Sequence, residues 1–188
     1  EGNGSGTNSP VGIFAKSDNN LNTVKNIMIN QGTNALTING KKGIGIFIED
    51  ESNGNDKLKL INSSKINLSD SATKSDRKIA IMLKNARNTD NLTSEKIIVR
   101  KNNIGIYVDG QGAVTSTGDI TIDKGVGNLA VFAKGGALPS GASQQITINK
   151  IEGTNTKNSI FIYAESNGTT GATVTASELN ISNAKTSF

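Results

Sequence analysis

The side chains that could do chemistry in this 188-residue chain are few in kind, because it holds no His, Cys or Trp. Ser-His-Asp and Cys-His nucleophilic machinery, zinc fingers, iron–sulfur centres and disulfides are therefore not available to it. Catalysis would have to rest on Asp, Glu, Lys, Arg or Tyr. Asp109, Asp119 and Asp123 stand close in sequence, and two carboxylates about 5–9.5 Å apart can cleave a glycosidic bond. Nothing in their spacing pairs them, and no Arg or His accompanies them in that stretch, so the expectation is a protein that is not an enzyme. The run from Glu49 to Asp56 carries acidic and amide groups ahead of Gly54, as a calcium loop does. Leu60, however, stands where that loop needs its bidentate Glu. A polar turn is expected there, with no metal and no cofactor.

Positive charge is the second candidate. Residues 74–101 hold Lys74, Arg77, Lys78, Lys84, Arg87, Lys96, Arg100 and Lys101 against Asp76, Asp90 and Glu95, while the stretches before and after are close to neutral. The formal net charge of +4 is thus concentrated in one part of the chain. Arg77, Lys78, Arg87, Arg100 and Lys101 are expected to form a basic band, either a plain solvated surface or a docking patch for an anionic glycan or an acidic receptor. Nucleic acid is not expected as a partner, because no aromatic residues interleave these charges.

These residues must be positioned by repeats. A motif of alternating aliphatics starts at Val11, Ile44, Ile79, Ile104, Leu129 and Ile160, and a second follows at Ile27, Ile66, Ile97, Ile120, Ile146 and Leu179. Apolar residues such as Ile61, Val114 and Val174 suggest a third short strand per unit. Each motif alternates with period two and none keeps a helical period, so the elements are strands. Polar runs of Gly, Asn, Ser, Thr and Asp separate them and supply turns. Units that return to one register describe a parallel β-solenoid, in which no coil can bury its apolar face alone. About six coils rising about 4.8 Å each give a rod on the order of 30 Å long. A thin stacked core also explains a hydrophobic content of 34%, low for a globule of this size. Residues 1–10 are expected to form a flexible N-terminal segment and 11–188 a single solenoid domain. No apolar run approaches the length of a membrane helix. The first residues lack the regions of a signal peptide, so the chain is expected to be a segment of a longer protein.

Aligning the first motif places Phe14, Phe47, Met82, Tyr107, Phe132 and Tyr163 in one column. Their neighbours Ile44, Ile46 and Ile48 must face the core, so the aromatic column should face outward, beside a row of Gly12, Gly45, Ala80, Gly105, Ala130 and Phe161. Phe14, Phe47, Tyr107, Phe132 and Tyr163 are therefore candidate ligand-binding residues on an aromatic ledge. The plainer alternative is that the long turns fold back and bury the ledge as a second apolar layer.

The Gly-Ile-Phe/Tyr strand, the polar turn and the Ile-Thr-Ile or Leu-Asn-Ile strand resemble the coils of passenger domains in type V autotransporters of Gram-negative bacteria. With 25 Asn and many Lys and Ile, the chain is similar to the very large fusobacterial autotransporter adhesins. The resemblance implies an all-β fold, a right-handed parallel β-helix, displayed on the cell surface and anchored through an outer-membrane barrel elsewhere in the full protein. It also implies adhesion, with a glycan or protein receptor on a host cell or another bacterium as partner and no direct membrane contact by this segment. A stalk projecting a distant binding tip is the alternative role, and a polysaccharide-acting enzyme the outside one.

Overall fold

The computed structural model describes residues 10–17, 25–29, 34–50, 58–86, 91–110, 113–116, 118–135, 144–165 and 172–185. The expected flexible N-terminal segment lies, except for Pro10, outside the described residues. The chain forms a parallel β-solenoid. Its first coil holds β1 (Val11–Ser17), β2 (Lys25–Ile29) and β3 (Leu36–Ile38), and its second β4 (Gly43–Asp50), β5 (Leu58–Asn62) and β6 (Ile66–Leu68). The third has β7 (Lys78–Ala86), β8 (Asn91–Ser94) and β9 (Ile97–Val99), and the fourth β10 (Ile104–Gly110), β11 (Ala113–Ser116) and β12 (Ile120–Val126). After these four three-stranded turns come two in which the second and third strands are fused. They contain β13 (Leu129–Gly135) with β14 (Gln144–Lys157), and β15 (Ile160–Glu165) with β16 (Ala172–Ser182). Against the expected six coils, the solenoid has about four full turns, followed by two simplified rungs.

The first strands stack as one parallel sheet in the order β1-β4-β7-β10-β13-β15. Its register matches the motif alignment residue for residue, with Val11 beside Ile44, Ile44 beside Ile79, Ile79 beside Ile104, Ile104 beside Leu129 and Leu129 beside Ile160. The second and third strands form two columns of another sheet, joined through β14. Here the expected second motif divides. Ile27 and Ile146 belong to the column of second strands, whereas Ile66, Ile97, Ile120 and Leu179 belong to the third. Ile61, expected to mark the intermediate strand, is one residue out of register: Leu60 is the residue that faces Ile27 and Leu92.

Inward-facing Ile46, Ile81, Ile106 and Val131 from the first strands meet Leu92 and Val114 from the second and Ile97, Val99, Ile120 and Ile122 from the third in one buried cluster. In coils two, four, five and six the turn into the first strand includes a residue in the left-handed region: Lys42, Asn102, Gly127 and Asn158. Asn and Gly bear that conformation at least cost, which is one use for the chain's abundant Asn.

The small-residue row beside the aromatics is not an outward ledge. Gly45, Ala80, Gly105 and Ala130 are buried. A Cβ on Gly105 would stand 2.6 Å from the Ala130 carbonyl oxygen and 3.1 Å from Val99 Cγ2. Ladder partners run Ile44 with Ile79 and Ile46 with Ile81, stepping over Gly45. Strict alternation breaks at this corner, and the side-chain position is aimed at the backbone of the next coil, where coils two to five carry only Gly or Ala. Phe161 takes this position in coil six. Its ring edge would lie 2.6 Å from a Cβ on Gly153, which replaces the inward aliphatic residue that Ile122 supplies one coil earlier. The missing side chain at 153 makes room for the ring, and Phe161 packs on the end of the core.

Candidate functional site

The outward residues of the first sheet form two ladders. In the aromatic one, Phe14 and Phe47 have ring centroids 5.2 Å apart and tilted by 39°. Tyr107 and Phe132 stack at 4.9 Å with planes 2° apart, and Phe132 and Tyr163 at 5.0 Å and 10°. Met82, which follows Phe47 and precedes Tyr107 in register, separates the two groups. The inner members are half-buried and the end members Phe14 and Tyr163 exposed. This spacing is the coil rise itself. Each stacked ring therefore turns its faces to its neighbours in the rod and presents its edge to solvent. A sugar that stacks on an aromatic face has access only at the end of the column, on Tyr163 or Phe14. Burial pushes the Tyr107 hydroxyl above its ordinary pKa, and the charges of Asp109 and Glu165 add to the rise.

Two residues further along each strand runs a ladder that sequence reading missed. Lys16 lies beside Glu49, Glu49 beside Lys84, Lys84 beside Asp109, Asp109 beside Lys134 and Lys134 beside Glu165. Charge alternates strictly through six coils. The Lys84 ammonium lies 3.0 Å from Glu49 Oε1. The signal was present in the alignment, two places after the aromatic residue, but only register makes a pair of Lys84 and Glu49, which are 35 residues apart.

The basic band holds together only in part. Lys78 is fully buried, its ammonium donating to the carbonyls of Asp70 at 2.9 Å and Ser69 at 3.3 Å and to Ser71 Oγ at 2.9 Å. Burial lowers its pKa, opposed by Asp70 and Asp76. Arg77 Nε donates to the Asn102 carbonyl at 3.1 Å and Nη2 to that of Gly127 at 3.5 Å, and burial lowers its pKa too. Arg100 pairs with Asp123 at 3.2 Å and reaches the Leu68 carbonyl. Lys101 is exposed, and Arg87 lies outside the described residues. Three of the four described members are thus spent on carbonyls and a carboxylate of the rod itself, leaving Lys101 at the surface.

Beneath that band lies a polar corner. Asn103 Oδ1 accepts from the Lys78 backbone N–H at 2.9 Å and from Ser71 Oγ at 2.6 Å, while its Nδ2 donates to the Ser69 carbonyl at 2.7 Å. One coil on, Asn128 Oδ1 accepts the Asn103 N–H at 3.5 Å, and Ser159 Oγ accepts that of Asn128 at 3.3 Å. Residues in the position just before the first strand therefore tie successive coils together.

The three aspartates do not converge. Asp109 belongs to the charge ladder of the first sheet. Asp119 accepts from Asn149 at 2.9 Å and lies 3.8 Å from Lys150, and Asp123 faces Arg100. On the outer side of the third strands, Thr121, Asp123, Glu152, Thr154 and Asn155 line an open groove of about 300 Å³. Thr121 Oγ1 donates to Glu152 at 2.8 Å and Lys150 stands 3.1 Å away; these two bonds hold the Glu152 carboxyl below its ordinary pKa. Glu49, first of the calcium-like run, faces Lys84, and residues 51–56 lie outside the described residues. So do the long turns at 51–57 and 136–143. Among the described residues no group of three acidic side chains is placed to hold a metal ion. The sequence matches no protein-family model, no curated protein and no solved structure.

Proposed function

We propose that this chain is a rod segment of a bacterial cell-surface adhesin and serves as the stalk that carries binding parts away from the cell. The observation that supports this reading is the self-pairing of the outer rows. Rings stack on rings, lysines stand beside carboxylates, and three of the four described residues of the basic band are turned to carbonyls and a carboxylate of the rod itself. A surface whose polar and aromatic groups are satisfied along its own axis gains stiffness and offers few convergent groups to a ligand. Surface display comes from the resemblance to autotransporter passengers.

A glycan array and a cell-binding assay with the isolated chain test the proposal. A stalk gives no more binding than an unrelated solenoid of the same length. Saturable binding, lost on Tyr163→Ala or on Arg100→Glu with Lys101→Glu, would replace the stalk by the adhesive reading. A second reading has one observation in its favour: the groove lined by Thr121, Glu152, Thr154 and Asn155 presents hydroxyl, amide and carboxylate groups of the kind that sugar hydroxyls bind. Binding that survives the Tyr163 and Arg100/Lys101 changes but is lost on Thr154→Val with Asn155→Ala would assign the ligand to that groove.

A further inference from the structure

One edge of the rod departs from the self-pairing of its faces. It is the corner at which the third strands turn into the first strands of the next coil, where backbone bonds run from the Asn102 N–H to the Val126 carbonyl at 2.9 Å and from the Gly127 N–H to that of Lys157 at 3.1 Å. Lys101 and Lys157 stand immediately before the left-handed residues Asn102 and Asn158 and are exposed. The rung between them has Val126 in that place, and cations from another turn reach it. Lys74, exposed in the 3₁₀ helix Lys74–Asp76 of coil two, carries its Cε to 3.6 Å from where a Cβ on Gly127 would stand. Arg77 Nη2 ends 3.5 Å from the Gly127 carbonyl oxygen. Four cations thus line three successive rungs, and every coil concerned has a neighbour on each side.

No carboxylate answers them. Among the described residues Lys74, Lys101 and Lys157 form no ion pair. Asp70 and Asp76 share a turn with Lys74 and Arg77, but neither forms one either, and Asp76 accepts from Thr73 Oγ1 at 3.0 Å. Beyond Lys157 the next residue in register is Lys185, cation beside cation. The first sheet does the opposite, setting Lys84 between Glu49 and Asp109. Like charges one rung apart repel, a cost that a bound anion removes. An extended anion lying along the rod axis would meet positive charge about every 4.8 Å. The described stacked and tilted ring pairs belong to the outer row of the first sheet, and Phe161 packs on the core. Among the described residues, then, no ring stands at this edge for a nucleic-acid base to stack on.

We propose that this corner binds a linear sulfated polysaccharide laid along the rod, its sulfate groups paired with the ammonium groups of Lys74, Lys101 and Lys157 and with the guanidinium of Arg77. The inference goes beyond the stalk. If it holds, the shaft is itself adhesive along this edge; if it fails, the stalk reading stands as before.

Immobilised heparin, a linear sulfated polysaccharide, is the probe, with the whole 188-residue chain in solution at rising salt. Binding is expected at about 50 mM salt and should fall with a log–log slope of about −3 to −4, one counterion for each cation neutralised. Lys101→Glu with Lys157→Glu should weaken it by about tenfold or more, whereas Lys101→Arg with Lys157→Arg should keep it within about twofold. Lys65→Glu with Lys96→Glu makes the same change in net charge at the corner between second and third strands, and should cost no more than about threefold. None of these four lysines makes a described side-chain hydrogen bond or ion pair, so unfolding midpoints in urea should stay close to the parent's. Three results would overturn the proposal: no heparin binding at about 50 mM salt, equal losses in the two Lys→Glu pairs, or single-stranded DNA that binds more tightly than heparin of equal charge.

Discussion

Coils four and six carry the same kinds of residue at the same register positions, yet their fates differ. Ile104 in coil four is 7% exposed and Ile160, in the same column of coil six, 49%. Ile122 is buried where Ile181, two rungs on in the third-strand column, is not. Nothing in the side chains accounts for this. The difference lies in coverage, since a coil is buried by the two coils that sandwich it. Hydrophobic stabilisation scales with the area removed from water, so an aliphatic residue in this fold contributes according to its rung.

Truncation sets the two coils most sharply apart. Ile106→Ala in coil four removes a fully buried side chain and should cost about 2–5 kcal/mol in urea unfolding at low protein concentration. Ile181→Ala in coil six should cost less than about 1 kcal/mol under the same conditions. Equal losses would mean that coverage does not set the contribution of a rung.

The polar corner extends the comparison. Asn103→Ala strands the Lys78 N–H, leaves the Ser69 carbonyl only its longer bond from the Lys78 ammonium, and should destabilise by about 1–3 kcal/mol, with faster hydrogen exchange at the Lys78 amide. Ser159→Ala, the equivalent change at the coil-six corner, should cost only a few tenths of a kcal/mol, about the scatter of surface substitutions.

Gly153 and Phe161 probe how the last coil closes the core. Gly153→Val drives its Cβ into the ring and Phe161→Ala empties the space beside it; each should cost about 1–3 kcal/mol. Combined, they should cost less than their sum, because the new side chain occupies the vacated volume. Strict additivity in that double-mutant cycle would show that the two positions do not share one cavity.

The exposed ladder gives smaller effects. Lys84→Ala should cost about 0.2–1 kcal/mol, an effect that fades with added salt. Smallest of all is the pH dependence contributed by Glu152. Its folded pKa lies below the ordinary 4.5, so its contribution is present above that value and is lost as pH falls through the folded one. Glu152→Gln should remove that part of the acid destabilisation, read as a shallower fall in unfolding midpoint below about pH 4.5. An unchanged acid limb would mean that the Thr121 and Lys150 bonds do not stabilise the folded state.

How much of this was legible in the sequence varied with the element. The first-strand column could be read to the residue, because its Ile-Gly-Ile-aromatic pattern occurs once per coil and has no rival. The second and third strands look alike in sequence, since both present an Ile-x-Ile pair and turn lengths vary between coils, so Ile27 and Ile146 align with Ile66 and Ile97 although they belong to different columns. Alternation puts the Gly and Ala row on the outer face because it assumes an unbroken strand, whereas the chain turns a corner there and buries the row. Arg77, Lys78 and Arg100 read as one band because they lie in one charged stretch of the sequence. In space one reaches to carbonyl groups, one is buried and one pairs with Asp123.

What the sequence by itself determined is the repeat: period-two aliphatics, polar turns and an aromatic column, enough to require stacked parallel strands because no single coil can bury its own face. Register, corner geometry and coverage were decided by tertiary structure alone. They arise between coils, from residues 25 to 35 positions apart in sequence, where a carbonyl excludes a side chain at Gly105, a lysine meets a glutamate at Lys84, and Ile160, on the last described coil, is 49% exposed.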